Sequence, residues 1–470
     1  MDMDSNPSES KPVQPQPEAT ILDGPIRHIP PELLCEILVL ATTMPLPPGS
    51  TVPHLDVPAS WPVIGVKRSW QELIEANPGA FLSKFVINSL ESASSIEAGF
   101  NRYIRRISGA KYLIDIEINQ GRGVEMTGAR KVILDRILYG FRMNKADLLS
   151  RLRSLKVHTF TPLPSLELFN WNLVCLQKLE TVDLSLEWEN HNLNNIWKCF
   201  HHAQSLRCVK WHSYIPPFEP ASESSVITSL PRLTRIEMNE APVDTLGRYF
   251  SLTTAIEHFC IQRITQSPGP QFFTQTIPLA ALQSLIIEDS ENINLLFETL
   301  LTPALTELTL GNIQPGSYHS LVNLLQRSQN KLRSLTLKFP RGFDEDELLM
   351  AIASLLPFLE GIRDLSLDLP PECDPVVTTI LLNSELNTVN YNDEITALPH
   401  LQTLKLYASV LPFRAIGDWV EKRISKGRLT ELVLEIDLGG PSSDEAETWR
   451  PPFLPRKGFY YTLLQRKSPV

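Results

Sequence analysis

Five soft or borderline metal ligands, Cys199, His201, His202, Cys208 and His212, fall within fourteen residues of one another. Zinc gathers its ligands tetrahedrally, commonly through paired CxxC or HxxxH spacings, and neither pair occurs here. In the strand register developed below, Cys208 and His212 share one strand and the two earlier histidines precede it, so no metal site is expected. A second constellation is the run Tyr112–Ile118, Gly121-Arg122-Gly123, Gly128 and Ala129–Leu138, because strand, glycine-rich turn and helix is how a phosphate loop is built. The third glycine stands two residues late for GxGxxG, and no GK[ST] supplies an ammonium and a metal-binding hydroxyl. A plain connection between a strand and its helix accounts for the run. GxSxG, HExxH and supported carboxylate pairs are also missing, so neither an enzyme nor a bound cofactor is expected.

The elements that must position any functional side chain come from a recurring pattern, an apolar residue at positions 1, 4 and 6. It reads Leu305-Thr-Glu-Leu308-Thr-Leu310, Leu332-Arg-Ser-Leu335-Thr-Leu337, Leu282-Gln-Ser-Leu285-Ile-Ile287, Leu401-Gln-Thr-Leu404-Lys-Leu406 and Leu429-Thr-Glu-Leu432-Val-Leu434. Further copies begin at Leu82, Leu113, Leu152, Leu179, Leu206, Leu233, Ile256 and Ile362. From Leu152 onward the copies are 23 to 30 residues apart, with one interval of 39 in which Leu386-Asn-Thr-Val389-Asn-Tyr391 reads as a degenerate copy. Leucine-rich repeats recur every ~20–29 residues, each giving a short strand and then a helix or irregular return. Helical returns are expected over 193–200, 292–301, 320–329, 345–356 and 414–425. Strand and helix alternate, so the sheet should be parallel. Ile313 and Ser290 stand where many such repeats close with Asn, so the array should be irregular and lack an asparagine ladder.

Side chains alternate across a strand, so if positions 1, 4 and 6 enter the core, positions 3, 5 and 7 point to the concave face. That places Lys210, His212, Glu237, Cys260, Ile286, Glu288, Glu307, Lys338, Lys405 and Tyr407 there as candidate target-binding residues. A row of mixed charge with a few apolar members suits a protein or peptide ligand better than a polyanion.

The bulk properties agree. A formal charge of −10 and a pI near 5.6 argue against a nucleic-acid surface, which needs a concentrated basic face. Six cysteines without a CxxC in 470 residues describe reduced thiols, hence a cytoplasmic or nuclear protein. The N-terminus has neither the basic nor the apolar region of a secretory signal, and no apolar run approaches the ~18 residues of a membrane helix.

Residues 1–24, rich in Pro, Ser, Gln and Glu, read as a disordered leader. Order is expected from residue 25, where Pro30 and Pro31 suit a first helical turn and Leu33, Leu34, Ile37, Leu38 and Ala41 share one face. A Pro-rich loop over 44–60 precedes a second helical run carrying Val63, Val66, Trp70, Leu73 and Ile74. Two or three apolar-faced helices within 26–78 bury themselves poorly and should want a partner.

Ile29-Pro30-Pro31-Glu32-Leu33-Leu34-x-x-Ile37-Leu38 resembles the LPxELLxxIL opening of the F-box, and Val66-Lys67-Arg68-Ser69-Trp70 resembles its second signature. The spelling over Trp61–Val66 is similar to the fungal branch of that family. The resemblance implies a short helical F-box module over 25–78 in an otherwise α/β chain. A leucine-rich-repeat solenoid, a parallel-sheet horseshoe, would follow over 79–438, and residues 439–470 would form a C-terminal cap or tail. It also implies a substrate-recognition subunit of an SCF-type ubiquitin ligase, docked on the Skp adaptor and through it on a cullin. The docking contacts would be Ile29, Pro30, Glu32, Leu33, Leu34, Ile37, Leu38, Val66 and Trp70. The alternative is a leucine-rich-repeat interaction scaffold with a helical cap and no ubiquitin role.

Overall fold

The computed structural model describes residues 84–88, 111–120, 149–159, 176–186, 203–214, 230–265, 276–290, 293–314, 316–328, 331–340, 345–369, 398–408, 413–425, 429–437 and 460–466, with single residues between 94 and 104 and at 128, 132 and 200. The chain divides into two units, Met1–Ser83 and Lys84–Val470, and the described residues belong to the second. The leader 1–24, the F-box-like segment 25–78 and its nine expected contact residues lie outside them, as do Cys199, His201 and His202.

The second unit is built on one sheet. Its early strands are β1 (Lys84–Asn88), β2 (Ile114–Asn119), β3 (Leu152–Thr159), β4 (Thr181–Leu186), β5 (Cys208–Tyr214), β6 (Arg235–Pro242) and β7 (His258–Thr265). After the short β8 (Ile277–Pro278) come β9 (Ser284–Ser290), β10 (Leu300–Leu301), β11 (Glu307–Leu310), β12 (Ser334–Lys338) and β13 (Asp364–Asp368). The series ends with β14 (Thr403–Ala408), β15 (Glu431–Asp437) and β16 (Tyr460–Arg466). Fourteen of these form a single sheet in chain order, every neighbouring pair parallel, while β8 and β10 pair separately. Helices α1 (Val243–Leu252), α2 (Ile293–Thr299), α3 (Ser317–Ser328), α4 (Glu345–Leu355) and α5 (Phe413–Ser425) occupy the returns. One strand and one return per repeat, stacked in order, is the architecture of a leucine-rich-repeat-like solenoid.

The register is the one the pattern specifies. Leu308 lies beside Leu285 and Leu335, and Leu310 beside Ile287 and Leu337, so positions 4 and 6 form continuous apolar rows. Those rows are all but inaccessible and share one core with Leu246, Phe250, Leu296, Leu324, Ile352 and Ile416 of the helices. These five helices therefore cover the same face, and positions 3, 5 and 7 look the other way.

What replaces the missing asparagine ladder is main chain. The carbonyl of each position-2 residue accepts the amides of positions 2 and 3 in the next copy: Arg207 O from Thr234 and Arg235, Gln283 O from Thr306 and Glu307, Thr306 O from Arg333 and Ser334, Arg333 O from Arg363 and Asp364. The chain of such bonds runs from Arg153 to Tyr460 at 2.7–3.1 Å. A tight turn precedes most copies, in which the position-1 amide bonds the carbonyl three residues earlier, as Leu179 does Leu176, Leu282 does Leu279 and Leu401 does Leu398. Those upstream residues are buried, so the working motif is three residues longer than the 1-4-6 pattern.

One expectation changes. In the second copy Ile114, fully buried, takes the place assigned to Leu113, because the register slips between Ile114 and Asp115 and Arg153 is left as the extra residue. The degenerate copy expected at Leu386–Tyr391 lies outside the described residues, and among those described β13 pairs directly with β14 from Asp364 against Thr403 to Asp368 against Tyr407. Within 439–470, set apart as a cap or tail, residues 460–466 form β16 and continue the sheet in register with β15.

Candidate functional site

The face opposite the helices carries the outward positions, and its chemistry divides along the sheet. Across β2 to β6 the position-5 row reads Glu117, Lys156, Asp183, Lys210 and Glu237 on adjacent strands, with charge alternating at every step. Side chains directly opposite in neighbouring strands lie within reach of each other, so alternation sets up an ion-pair ladder. Glu117 accepts from Lys84 at 2.7 Å, Lys156 at 3.1 Å and Asn119 at 2.7 Å. Lys210 pairs with Glu237 at 2.7 Å, and Arg235 reaches the same carboxylate from position 3 of its own strand. The slipped Arg153 forks onto Asp115, with Nε at 3.0 Å and Nη2 at 2.6 Å.

Between the two halves of the ladder lies a His–Asp–His group. His158 Nε2 is 2.8 Å from Asp183 Oδ1, and His212 Nε2 is 3.8 Å from the same oxygen. The imidazoles meet edge to face with centroids 6.3 Å apart, and His212 Nδ1 contacts Asn239 Oδ1 at 3.2 Å.

The carboxylates answer to this setting. Burial works to raise each of them but is outweighed by the hydrogen bonds from neighbours. Glu117 is held down to about 2 by Asn119, Lys84 and Lys156. Asp183 is lowered by His158 first, and Glu237 by Lys210 and Arg235. Burial pushes the Cys208 and Cys260 thiols up, which disfavours the thiolate a nucleophile would need.

From β7 onward the row changes character. Position 5 continues as Cys260, Ile286, Thr309, Thr336 and Ser366, uncharged on successive strands, before Lys405 on β14. Charge moves to the flanks: Glu307 and Asp364 at position 3, Glu288, Lys338 and Asp368 at position 7. Glu288, Glu307, Asp364 and Lys338 are exposed, and among the described residues no ion pair links these three carboxylates to a cation. Gly311 follows β11 at the seventh place of its copy. The chain passes so close to β9 that a Cβ there would lie 2.0 Å from the Glu288 carbonyl oxygen.

All ten expected target-binding residues therefore lie at outward register positions, and Lys210, Glu237, Cys260 and Ile286 stand side by side. Lys405 and Tyr407 lie farther along on β14, half-buried. Outward does not always mean exposed, since Val433 at position 5 of β15 is 8% accessible. Asp115, Arg153, Arg235 and Asp364 belong to the face as well, and the signal for three of them was the same register read at position 3. Cys208 and His212 occupy positions 3 and 7 of β5, about 13 Å apart along the strand, too far to share an ion. Among the described residues no group of three or more His, Cys, Asp or Glu is arranged to hold a metal, and no helix is long and apolar enough to cross a membrane.

An internalin from Listeria monocytogenes is a structural neighbour, with 14% identity, 77% of this chain and 82% of that chain covered, and a TM-score of 0.30. So low a score adds nothing to the fold, which rests on the strand order and register. No protein-family model and no curated protein matches the chain.

Proposed function

We propose that this chain is the target-binding subunit of an SCF-type ubiquitin ligase, a non-catalytic receptor working in the cytoplasm or nucleus. The observation that carries the binding role is the open face: a sheet fourteen strands wide, with its five described helices packed on one side and mixed polar side chains in register on the other. Such a face offers many weak, adjustable contacts to a protein surface. Ubiquitin transfer on this reading belongs to the conjugating partner, and no cofactor is required of this chain.

The ligase role is supported by the F-box resemblance at Ile29–Leu38 and Val66–Trp70. An apolar helix face carrying Leu33, Leu34, Ile37 and Leu38, with Val66 and Trp70 from the second signature, would be laid against a groove of the Skp adaptor. Glu32 would sit in the first turn, where a carboxylate is favourable.

Purified full-length chain should capture the Skp adaptor, and Leu33→Asp combined with Trp70→Ala should abolish capture while leaving the far-ultraviolet circular dichroism of the solenoid unchanged. If the wild-type chain captures no adaptor, the ligase role is lost and an interaction scaffold without a ubiquitin role takes its place.

A further inference from the structure

We infer that the partner of the open face enters it as an extended basic segment, seated on β9, β11, β12 and β13. The inference rests on the binding role proposed above and names its ligand chemistry.

The two halves of the face differ in what they leave available. Across β2 to β6 Glu117, Asp183 and Glu237 are each engaged by a cation or an imidazole, so a charged ligand arriving there must first displace a neighbour. Across β9 to β13 Glu288, Glu307 and Asp364 are exposed and, among the described residues, without a cationic partner.

Their placement gives the shape. Positions 3 and 7 lie four residues apart, about 13 Å along each strand. Between those banks runs a floor of Ile286, Thr309, Thr336 and Ser366, short or uncharged side chains on adjacent strands at roughly 4.8 Å spacing. An extended peptide crossing the strands rests its backbone on that floor and sends alternate side chains to opposite sides. Glu307 and Asp364 meet one set and Glu288 the other, so lysines or arginines on both sides are complemented. Lys338 and Asp368 stand side by side in register on the second bank.

The probe is a fluorescein-labelled peptide of repeated Lys-Lys-Ser-Ser, titrated with full-length chain at low ionic strength and read by anisotropy, with Glu-Glu-Ser-Ser as its counterpart. The basic peptide should bind and the acidic one should not. Glu288→Gln, Glu307→Gln and Asp364→Asn together should weaken binding about tenfold. Glu298→Gln, Asp346→Asn and Glu347→Gln, the same charge change made on exposed helix positions, should leave it within about twofold. Equal weakening in both triple variants, equal binding of both peptides, or no binding of the basic peptide overturns the inference. Adaptor capture is read on the same proteins. Capture without peptide binding removes the inference alone, and peptide binding without capture removes the ligase role alone.

Discussion

Gly311→Ala tests the geometry of the open face with a single methyl group. The added carbon would lie 2.0 Å from the Glu288 carbonyl oxygen and 2.8 Å from its carbonyl carbon, both main-chain atoms held in a central strand. Relief to an ordinary contact needs a displacement above about 1 Å, and no flexible side-chain end is there to yield. The shift falls on the bond from the Gly311 amide to the Ile287 oxygen at 2.7 Å and on that from Asn312 Nδ2 to Asp289 at 2.6 Å. Asn312 already occupies the left-handed region at φ 52°. Overpacking of ~1–3 kcal/mol and roughly 1 kcal/mol for each weakened bond give an expected loss of about 2–4 kcal/mol. Gly316→Ala is the matched control, since a Cβ there meets nothing within 4 Å. It should be neutral, or stabilising by up to ~1 kcal/mol through the unfolded chain. Urea unfolding followed by circular dichroism reads both, with hydrogen exchange at β9 and β11 locating the damage. Equal midpoints for Gly311→Ala and wild type would refute the close approach of these strands.

Acid should weaken the first half of the sheet. Glu117, Asp183 and Glu237 have folded pKa values below their unfolded ones, so their contribution is complete above about pH 5 and is lost as pH falls toward 2. Melting temperature should decline over that interval, less steeply in Glu117→Gln; an identical slope would mean the ladder is not formed in solution. Leu308→Ala should cost about 2–5 kcal/mol and its neighbour Thr309→Ala under about 0.5, because Leu308 is inaccessible while Thr309 faces outward. Comparable unfolding midpoints for these two variants would invert the assigned faces.

The strand register was legible because a period-two element buried on one face tolerates no slip of one residue: Leu305, Leu308 and Leu310 admit only one assignment. Adjacent apolar residues such as Leu113 and Ile114 leave two, and the choice was made by a main-chain irregularity with no mark in the pattern. Helix α1 was missed although Val243, Leu246, Tyr249 and Phe250 lie at helical spacing, because the strand before it runs straight into Pro242 without a loop signal. On the face, alternation of charge is visible only when residues some 27 apart are read side by side, as Lys156, Asp183, Lys210 and Glu237 must be.

The main-chain bonding between position-2 carbonyls and the following amides has a consequence for how such a chain diversifies. Because only main chain and the position-2 hydroxyls of Thr234, Thr306 and Thr430 take part, positions 3, 5 and 7 can vary without costing the array its continuity, proline excepted and Gly311 excepted, where a Cβ would meet the neighbouring main chain. Recognition can then be rewritten one strand at a time while the frame beneath stays the same, and a change in ligand need not be accompanied by compensating changes in the core.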